Sequence, residues 1–375
     1  MQKKEVAIIN ISSTMSSFVG EKGVNDTFIV KGFKQIEYDG FKIEENVPTF
    51  LKDANAVLSL CEMIKNVKNS GSGIKKIYIG VPGVFTRMIV RDGQVSFSKK
   101  RKITEKEIRM VQEAGFAGKV NGWSVINYAS INFELDDFRK TFSALGETSA
   151  TLKGRTCYVL CSNYFINVVK TACKECSFNE NDVVFVSTPL AESLYLVDKE
   201  YRDRLAVLLD VGHLSSDFTM VFGEGLLYQR SFEFGGAHIT CALMEELNID
   251  SYEIADKLKN KATISVDANE SEHYEIVKGD KAYYFNKNKV KQVIVEMLDE
   301  LIDEIHASYT QSRVNVPEHI PLYITGGGIT HIRGAKERLS DVLGVSMETI
   351  APDLPFLDKP ENSSYLSVLA YALKN

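Results

Sequence analysis

The residues whose types and spacing are best suited to chemistry lie in LLDVGHLSSDFTMVFG, at positions 208–223. Asp210 and Gly212 follow an apolar strand, a turn of small and polar residues comes next, and a second apolar strand begins. This is the outline of a β-hairpin that holds phosphate, with glycine where backbone must come close. His213 and Leu214 stand where such a turn usually keeps glycine, so the pattern predicts a phosphate site with a crowded turn.

A stretch near the N-terminus repeats this outline. INISSTMSSFVGE, which begins at Ile9, also reads as a strand, a small-residue turn and a second strand. The hydroxyls of Ser12, Ser13 and Thr14 are suited to donate hydrogen bonds to phosphate oxygens, although a Ser/Thr-rich turn without a ligand is an equal alternative. Two such units about 200 residues apart predict two domains of common design, with a ligand in the cleft between them.

A third segment closes the pattern. ITGGGITHIRGAKERLSDVLG places Thr325 and the three glycines Gly326, Gly327 and Gly328 between an apolar strand and an amphipathic helix. Glycine permits positive φ and lets the backbone approach a flat or anionic ligand. Behind two hairpins in this order, the glycines predict a wall of the ligand cleft.

Length and composition limit the class of protein. The 375 residues suffice for two domains, and 44% hydrophobic and 25% charged residues are ordinary for a soluble globular chain. A net charge of -6 argues against nucleic acid as a general partner. The start MQKKEVAIINI enters a strand and has too short an apolar core for a signal peptide. No apolar run approaches about 18 residues, so we expect a cytoplasmic protein.

Alternating strand and helix patterns predict an α/β fold. Thr104 and Glu107 have the spacing of a capping box at the start of one helix. The predicted strands are VAIINI, KKIYIGV, TCYVLC, DVVFVS, RLAVLLDV, FTMVFG and PLYITG. The predicted helices are NAVLSLCEMIKNV, TEKEIRMVQEAG and VKQVIVEMLDELIDEIHASY.

Two cysteine pairs invite comparison with a zinc site. Cys157 and Cys161 lie in the strand-like TCYVLC, and Cys173 and Cys176 lie in the helix-like INVVKTACKEC. Neither pair has the turn glycine of a zinc knuckle, so buried or half-buried free thiols are the favoured interpretation over a metal site.

The order of the motifs resembles the actin-like ATPase superfamily. The matching segments are the first hairpin (Asn10–Thr14), the connecting STPLAESLYLV (187–197), the second hairpin (Asp210–Asp217) and the glycine segment (Thr325–Gly328). The resemblance implies a two-domain actin-like (ribonuclease H-like) α/β fold, with ATP or ADP and Mg²⁺ as candidate ligands. It implies these cofactor-binding positions: Asn10, Ser12, Ser13, Thr14, Asp210, Gly212, His213, Ser215, Lys257, Gly326, Gly327 and Gly328. Asp210 is the candidate magnesium ligand.

Within the superfamily, the sequence is most similar to the bacterial cell division family FtsA, with PilM-like proteins second. IKKIYIGVPGVFTRMIVRDGQVSF, KITEKEIRMVQEAG and FEFGGAHITCALMEEL carry this likeness. It implies domain one at 1–80 and 163–200, an FtsA-type inserted (SHS2) subdomain at 81–162, domain two at 201–358 and a closing helix at 359–375 that returns to domain one. It also implies self-association or a filament partner, for which a tubulin-like division protein is one candidate.

Departures from the family pattern bear on the chemistry. Asn10 and Ser12 replace an aspartate and a glycine of the first hairpin, so a charge near magnesium is lost and a Cβ is added against phosphate. Thr188 stands where many relatives have a group that orients the attacking water, and it cannot act as a base near neutral pH. Glu192 lies about one helical turn further on, where a solvent-facing helix residue is the alternative to a functional role. His213 is either a donor to phosphate or an inert exposed histidine.

Two further features have alternative interpretations. Lys257 lies in YEIADKLKNKA, which resembles the segment bordering the ribose, but an exposed pair with Glu253 explains it equally well. The basic run 99–102 suits contact with anionic lipid, although a solvated loop is the more common role of such a run. The chain stops at SSYLSVLAYALKN, which reads as the fold's own closing helix, so membrane contact is expected only through a partner.

The sequence therefore predicts an FtsA-like cytoplasmic scaffold or adaptor in cell division or envelope assembly, with a degenerate nucleotide site and weak or absent hydrolysis. One alternative is an ATP-binding, actin-like polymeriser with slow hydrolysis, and another is a PilM-like pilus-assembly protein. A small-molecule kinase of the same superfold is disfavoured, because it would need an intact first hairpin and an aspartate base, and neither can be placed.

Overall fold

The computed structural model describes residues 5–24, 27–38, 41–44, 47–50, 54–71, 73–116 and 118–374. The predicted start of domain one, at residues 1–4, lies outside these ranges. All seven predicted strands and all three predicted helices are present.

The described strands and helices alternate along the chain, as the sequence predicts. In chain order the strands are β1 Glu5–Ile11, β2 Thr14–Lys22, β3 Phe28–Glu37, β4 Phe41–Glu44, β5 Val47–Phe50, β6 Ile77–Val81, β7 Thr86–Lys102, β8 Trp123–Leu135, β9 Lys140–Thr141, β10 Thr148–Ser162, β11 Val183–Ser187, β12 Ala206–Val211, β13 Ser216–Phe222, β14 Gly225–Phe232, β15 His273–Lys278, β16 Lys281–Asn286, β17 Leu322–Thr325 and β18 Met347–Thr349. The helices are α1 Ala54–Ser70, α2 Glu105–Gly115, α3 Asn163–Glu175, α4 Thr188–Tyr195, α5 Lys199–Arg202, α6 Gly236–Glu246, α7 Tyr252–Lys261, α8 Lys287–Ser312, α9 Ala335–Leu343 and α10 Ser363–Lys374.

Two five-stranded sheets have the same topology. The first has the order β3-β2-β1-β6-β11 and the second the order β14-β13-β12-β17-β18. In each sheet the first three strands are antiparallel neighbours and the last two run parallel to the hairpin's first strand. The similarity between the two hairpins is therefore part of a repeat of the whole sheet. This repeat places both hairpin turns at the same end of their sheets.

Apolar residues on the strand faces are covered by helices. α1 and α3 pack on one face of the first sheet, and α10 packs on the other face against β1. β1 is buried at every position after Glu5, as a central strand covered on both faces should be. α6, α7, α8 and α9 share a core with the second sheet.

A third sheet is inserted in the chain between β6 and β11, two neighbouring strands of the first sheet. It has four antiparallel strands in the order β7-β10-β8-β9, and α2 packs against β7 and β10. The capping box predicted at Thr104 is confirmed, since the Thr104 backbone N–H donates to the Glu107 carboxylate at 3.0 Å. The domain boundaries given above, and the FtsA type of this insert, stay predictions.

The cysteines have the predicted environment. Cys157, Cys161 and Cys173 are buried, Cys176 is half-buried, and all are free thiols. The described residues contain no group of three or more His, Cys, Asp or Glu side chains arranged to hold a metal ion. None of the described helices combines the length and apolarity that a membrane crossing requires.

Candidate functional site

The two hairpin turns and the glycine segment line one cleft of about 1170 Å³. Because the two sheets share a topology, the turn of each hairpin comes to the same opening. The predicted residues that line it are Asn10, Ser12, Ser13, Thr14, Asp210, Gly212, His213, Ser215, Gly326, Gly327 and Gly328.

Neighbouring side chains of the first sheet and of the segment after β3 already bond to the first turn. The Ser12 hydroxyl donates to the Thr14 carbonyl at 3.1 Å, and the Tyr38 hydroxyl donates to the Ser12 carbonyl at 2.7 Å. The Gln35 amide donates to Thr14 Oγ1 at 3.2 Å. The Ser12 hydroxyl hydrogen is thus used inside the turn, and this hydroxyl cannot donate to phosphate without breaking that bond.

Asn10, where the family has an acid, is buried with 3% of its surface exposed. Its Nδ2 donates to Ser364 Oγ on α10 at 2.6 Å, whereas its Oδ1 has no partner among the described residues. A Cβ on the neighbouring Gly80 would lie 2.1 Å from that oxygen. Asn10 therefore ties the first hairpin to the last helix, and it supplies no charge to a metal.

The second hairpin and the glycine segment form one packed wall. Gly236 N–H donates to the Gly212 carbonyl at 3.0 Å, and Gly328 N–H donates to the Val211 carbonyl at 2.8 Å. Gly326 has φ +86°, and a Cβ there would lie 2.1 Å from Asp210 Oδ1. A Cβ at Gly328 would lie 2.3 Å from the Gly212 carbonyl oxygen. Close packing alone thus requires two of the three glycines.

The two side chains that crowd the second turn have partners. Leu214 packs against the apolar cluster of the first sheet, which includes Ile11 and Met15. His213 is exposed, and its Nε2 lies 3.2 Å from the Tyr252 hydroxyl. Leu214 therefore bridges the two halves of the cleft at the place where the family pattern has bare backbone.

Glu192 does not face solvent, so the alternative of a solvent-facing helix residue is wrong. α4 is buried on nearly every side, and Glu192 is only 1% exposed. Burial and the nearby Asp210 and Asp217 raise the pKa of Glu192 well above its usual value. Burial and Asp217 also raise the pKa of Asp210 to about 7. A lone acid among apolar positions on a short helix was the available signal for this buried acidic group.

Asp217 is held by groups other than a ligand. The Ser231 hydroxyl and the Gly83 backbone N–H both donate to its carboxylate, while burial raises its pKa to about 6. A Cβ at Gly83 would overlap Asp217 Oδ1. Asp217 thus joins the second sheet to the loop after β6.

The structure does not bring Lys257 into the cleft. Its Nζ donates to Glu253 Oε1 at 2.7 Å on the exposed face of α7, which is the alternative raised from the sequence. The lysine that lines the cleft is Lys259, two positions further along the helix. Since each residue turns a helix by about 100°, two positions place the side chains on nearly opposite faces.

Lys259 has no hydrogen left for a ligand. Its Nζ donates to the Gly236 carbonyl at 3.1 Å, to Thr240 Oγ1 at 3.0 Å and to Asp256 Oδ1 at 2.7 Å. An ammonium group has three donors, and all three are used within the wall. Lys259 is 3% exposed, so it serves the packing of α6 against α7.

The residues present fit a magnesium–triphosphate group only in part, because carboxylates suit magnesium but no free lysine or arginine among the described lining residues is left for the phosphates. The described residues that line the cleft include five carboxylates and, apart from histidines, one cation: Glu37, Asp210, Asp217, Asp256, Glu361 and Lys259. Buried oxygens of Asn10 and Thr188 lack a hydrogen-bond partner there. The glycine wall retains the close-approach backbone of a nucleoside site, but the phosphate side lacks free cationic donors.

Comparisons with solved structures bear on the fold. No family model matches the sequence. The chain is similar to the PilM–PilN type IV pilus biogenesis complex, at 17% identity over 99% of both chains with a TM-score of 0.63. It is similar to MreB 5 of Spiroplasma citri bound to AMPPNP, at 12% identity over 98% of this chain and 96% of that one, with a TM-score of 0.54. It is also similar to the MamK double helical filament, at 10% identity over 98% of both chains and a TM-score of 0.52.

The chain has the two-domain actin-like fold. Identities of 10 to 17% establish the fold alone. The actin-like arrangement agrees with the two repeated sheets and with the cleft between their hairpins. A specific likeness to FtsA stays a prediction.

Gly327 is the position of the actin-like glycine segment that tests ligand binding most cleanly. It is half-exposed in the cleft, and the only atoms within 4 Å of a Cβ there belong to Glu361. Glu361 also pairs with His331 at 3.5 Å.

We expect Gly327→Val to abolish any residual nucleotide binding, because its branched side chain occupies ligand space while the backbone φ needs no glycine. Isothermal titration with Mg-ADP measures this, with Gly327→Ala as the matched control of smaller volume. Undiminished binding by a folded Gly327→Val protein would show that the adenosine position is misassigned.

Proposed function

We propose that this protein is an FtsA-like, actin-fold scaffold or adaptor in cell division or envelope assembly, with a degenerate nucleotide site. One observation carries the proposal: Lys259, the one lysine or arginine among the described residues that line the cleft, donates all its hydrogens within the wall. No free lysine or arginine among the described lining residues is left to neutralise a triphosphate. Leu214 adds an apolar contact across the same position.

The domain division, the location and the partners belong to the same proposal. The division at 1–80 with 163–200, 81–162, 201–358 and 359–375 is supported by the separate sheets and by the packing of α10 on the first sheet. We propose that the protein acts in the cytoplasm and reaches a membrane or division site through a partner. The PilM–PilN complex and the MamK filament offer fold-level precedents for a protein partner and for self-association. A tubulin-like division protein is one proposed partner.

An ATP-binding polymeriser with slow hydrolysis is the second candidate. The glycine wall beside Asp210 favours it, and a similarly folded MreB 5 is described with AMPPNP. A PilM-like role in pilus assembly is a variant of the scaffold proposal, since the PilM–PilN complex has the highest TM-score of the three structures compared above.

Self-association should distinguish the two candidates. A scaffold with a degenerate site should associate to the same extent with and without Mg-ATP, because a heterologous contact between domain faces needs no ligand. Light scattering and sedimentation velocity over a range of protein concentrations measure this. Assembly that appears only with Mg-ATP would favour the polymeriser, and a strict monomer at high concentration in both conditions would contradict self-association.

A further inference from the structure

A second cavity, of about 860 Å³, lies beside α7 and apart from the hairpin turns of the cleft. α7 borders both spaces: Asp256 and Lys259 line the cleft, whereas Lys257 and Lys261 line this second cavity. We call it the basic pocket and define it by Lys257, Lys261, His273, Glu275, Lys287 and Arg333.

The charge of the basic pocket is opposite to that of the cleft. Lys257, Lys261, Lys287 and Arg333 line it together with a single carboxylate, Glu275. The whole chain carries a net charge of -6, so this concentration of cations is a local reversal of sign. Such reversals in a concave site attract anions.

Two of these cations are already compensated. Lys257 pairs with Glu253 at 2.7 Å, and Lys287 pairs with Glu272 at 2.7 Å. A further lysine outside the lining, Lys278, also contacts Glu253, at 2.9 Å. Lys257 and Lys278 hold the pKa of Glu253 at about 2, well below its usual value, which agrees with an excess of positive charge.

The other two cations have no carboxylate partner among the described residues. The Lys261 ammonium donates to the Glu275 backbone carbonyl at 2.9 Å. Arg333 is exposed, and its guanidinium makes no hydrogen bond or ion pair with any described residue. Arginine presents a planar fork of donors that matches phosphate geometry.

Backbone contacts hold the segment that carries Lys261 beside the segment that carries Arg333. Ile264 N–H donates to the Arg333 carbonyl at 2.8 Å, and Thr263 pairs with Arg333 in a parallel bridge. The Thr263 N–H donates in turn to the Tyr274 hydroxyl at 2.9 Å. The Lys287 ammonium lies 5.6 Å from the centre of the same tyrosine ring. The cations therefore converge from separate segments held in place by these contacts.

We propose that the basic pocket binds a phosphate-bearing anion, with Arg333 and Lys261 as its principal contacts. The phosphate belongs either to a small soluble molecule or to the headgroup of an anionic lipid, since both present the same group to the pocket. Asn260 lines both this site and the cleft, but the cations of the basic pocket do not line the cleft, and the proposal does not depend on the proposed function.

Binding to the full-length chain tests the proposal. One arm titrates inorganic pyrophosphate by calorimetry, and the other measures co-sedimentation with vesicles that contain phosphatidic acid. The test variant is Lys261→Gln with Arg333→Gln, which removes two exposed cations that have no carboxylate partner. The matched control is Lys106→Gln with Arg109→Gln, the same change of charge on the exposed face of α2.

We expect the wild type to bind in one arm and the test variant to bind at least roughly tenfold more weakly, because charged hydrogen bonds are lost. The control and Gly327→Val should keep wild-type affinity. Binding in the pyrophosphate arm identifies a soluble ligand, and binding in the vesicle arm alone identifies a lipid. Absence of binding in both arms, unchanged affinity in the test variant, or loss of affinity in Gly327→Val instead would overturn the proposal.

Discussion

Restoring the residues of the actin-like pattern in the two hairpin turns should raise ATP turnover by roughly a hundredfold or more. The variant carries Asn10→Asp, Ser12→Gly, His213→Gly and Leu214→Gly. It returns a carboxylate to the first hairpin, where the Ser364 hydroxyl can donate to it. It also removes the Leu214 side chain that contacts the apolar cluster of the first sheet. Phosphate release beside the wild type, under equal Mg-ATP, is the measurement.

Two partial reversions serve as controls for this experiment. Asn10→Asp with Ser12→Gly restores one hairpin, and His213→Gly with Leu214→Gly clears the other. Each alone should recover little activity, because metal binding and an open turn are needed together. Thermal unfolding of all variants checks that Leu214→Gly does not unfold the chain. Wild-type turnover as fast as that of the fourfold variant would show that these positions are not the defect.

Replacing the buried acid Glu192 with glutamine should stabilise the protein by about 1 to 3 kcal/mol at pH 8. Burial and two neighbouring carboxylates raise the pKa of Glu192, so its ionised form is unfavourable in the folded state. Glutamine keeps the shape and removes the charge. Urea unfolding at pH 5 and at pH 8 measures the effect, which should be small at the lower pH.

The direction of the pH dependence follows from proton binding. The pKa values of Asp210 and Asp217 are raised to about 7 and about 6, above the value of about 4 of unfolded chains. The folded state thus keeps protons that the unfolded state releases, and the free energy of unfolding falls as pH rises from about 4 to about 7. Glu192→Gln should flatten this decline.

A matched substitution isolates burial as the cause. Glu113→Gln makes the same chemical change at an exposed position of α2, and it should leave both stability and its pH dependence unchanged. Two results would contradict this account: Glu192→Gln destabilises the protein at pH 8, or its free energy of unfolding falls with pH as steeply as that of the wild type. Either would show that the buried carboxylates do not destabilise the folded state.

Much of the fold was predictable because its signals are local. Strand and helix periodicity, the Thr104 capping box and the glycine run each depend on a few neighbouring residues. The two hairpins were predictable because a strand–turn–strand unit implies antiparallel pairing whatever surrounds it. Their similarity indicated that the two sheets share a design. The superfamily resemblance then supplied the order of the elements, and the similar solved structures bear out the actin-like fold.

The parts of the site that sequence alone missed depend on long-range packing. Glu192 faces inward because α10 and the second sheet cover α4. The apolar residues around Glu192 indicate a buried helix, but the elements that cover it lie far away in the chain. Lys259 rather than Lys257 reaches the cleft because α6 packs on one face of α7. Among the described residues, Leu214 finds its apolar partners across the cleft, in a cluster built from a different part of the chain.

Isothermal titration of the full-length protein with Mg-ATP and with Mg-ADP tests the central claim most directly. The described residues leave the acidic cleft no free lysine or arginine, and Leu214 crosses it. It should therefore bind both nucleotides weakly, with Kd values above about 100 μM, which corresponds to less than about 5.5 kcal/mol of binding free energy. The claim predicts similar affinities for the two, since the γ-phosphate gains no contact. Magnesium-dependent binding of ATP with a Kd of about 1 μM or lower would contradict the degenerate site.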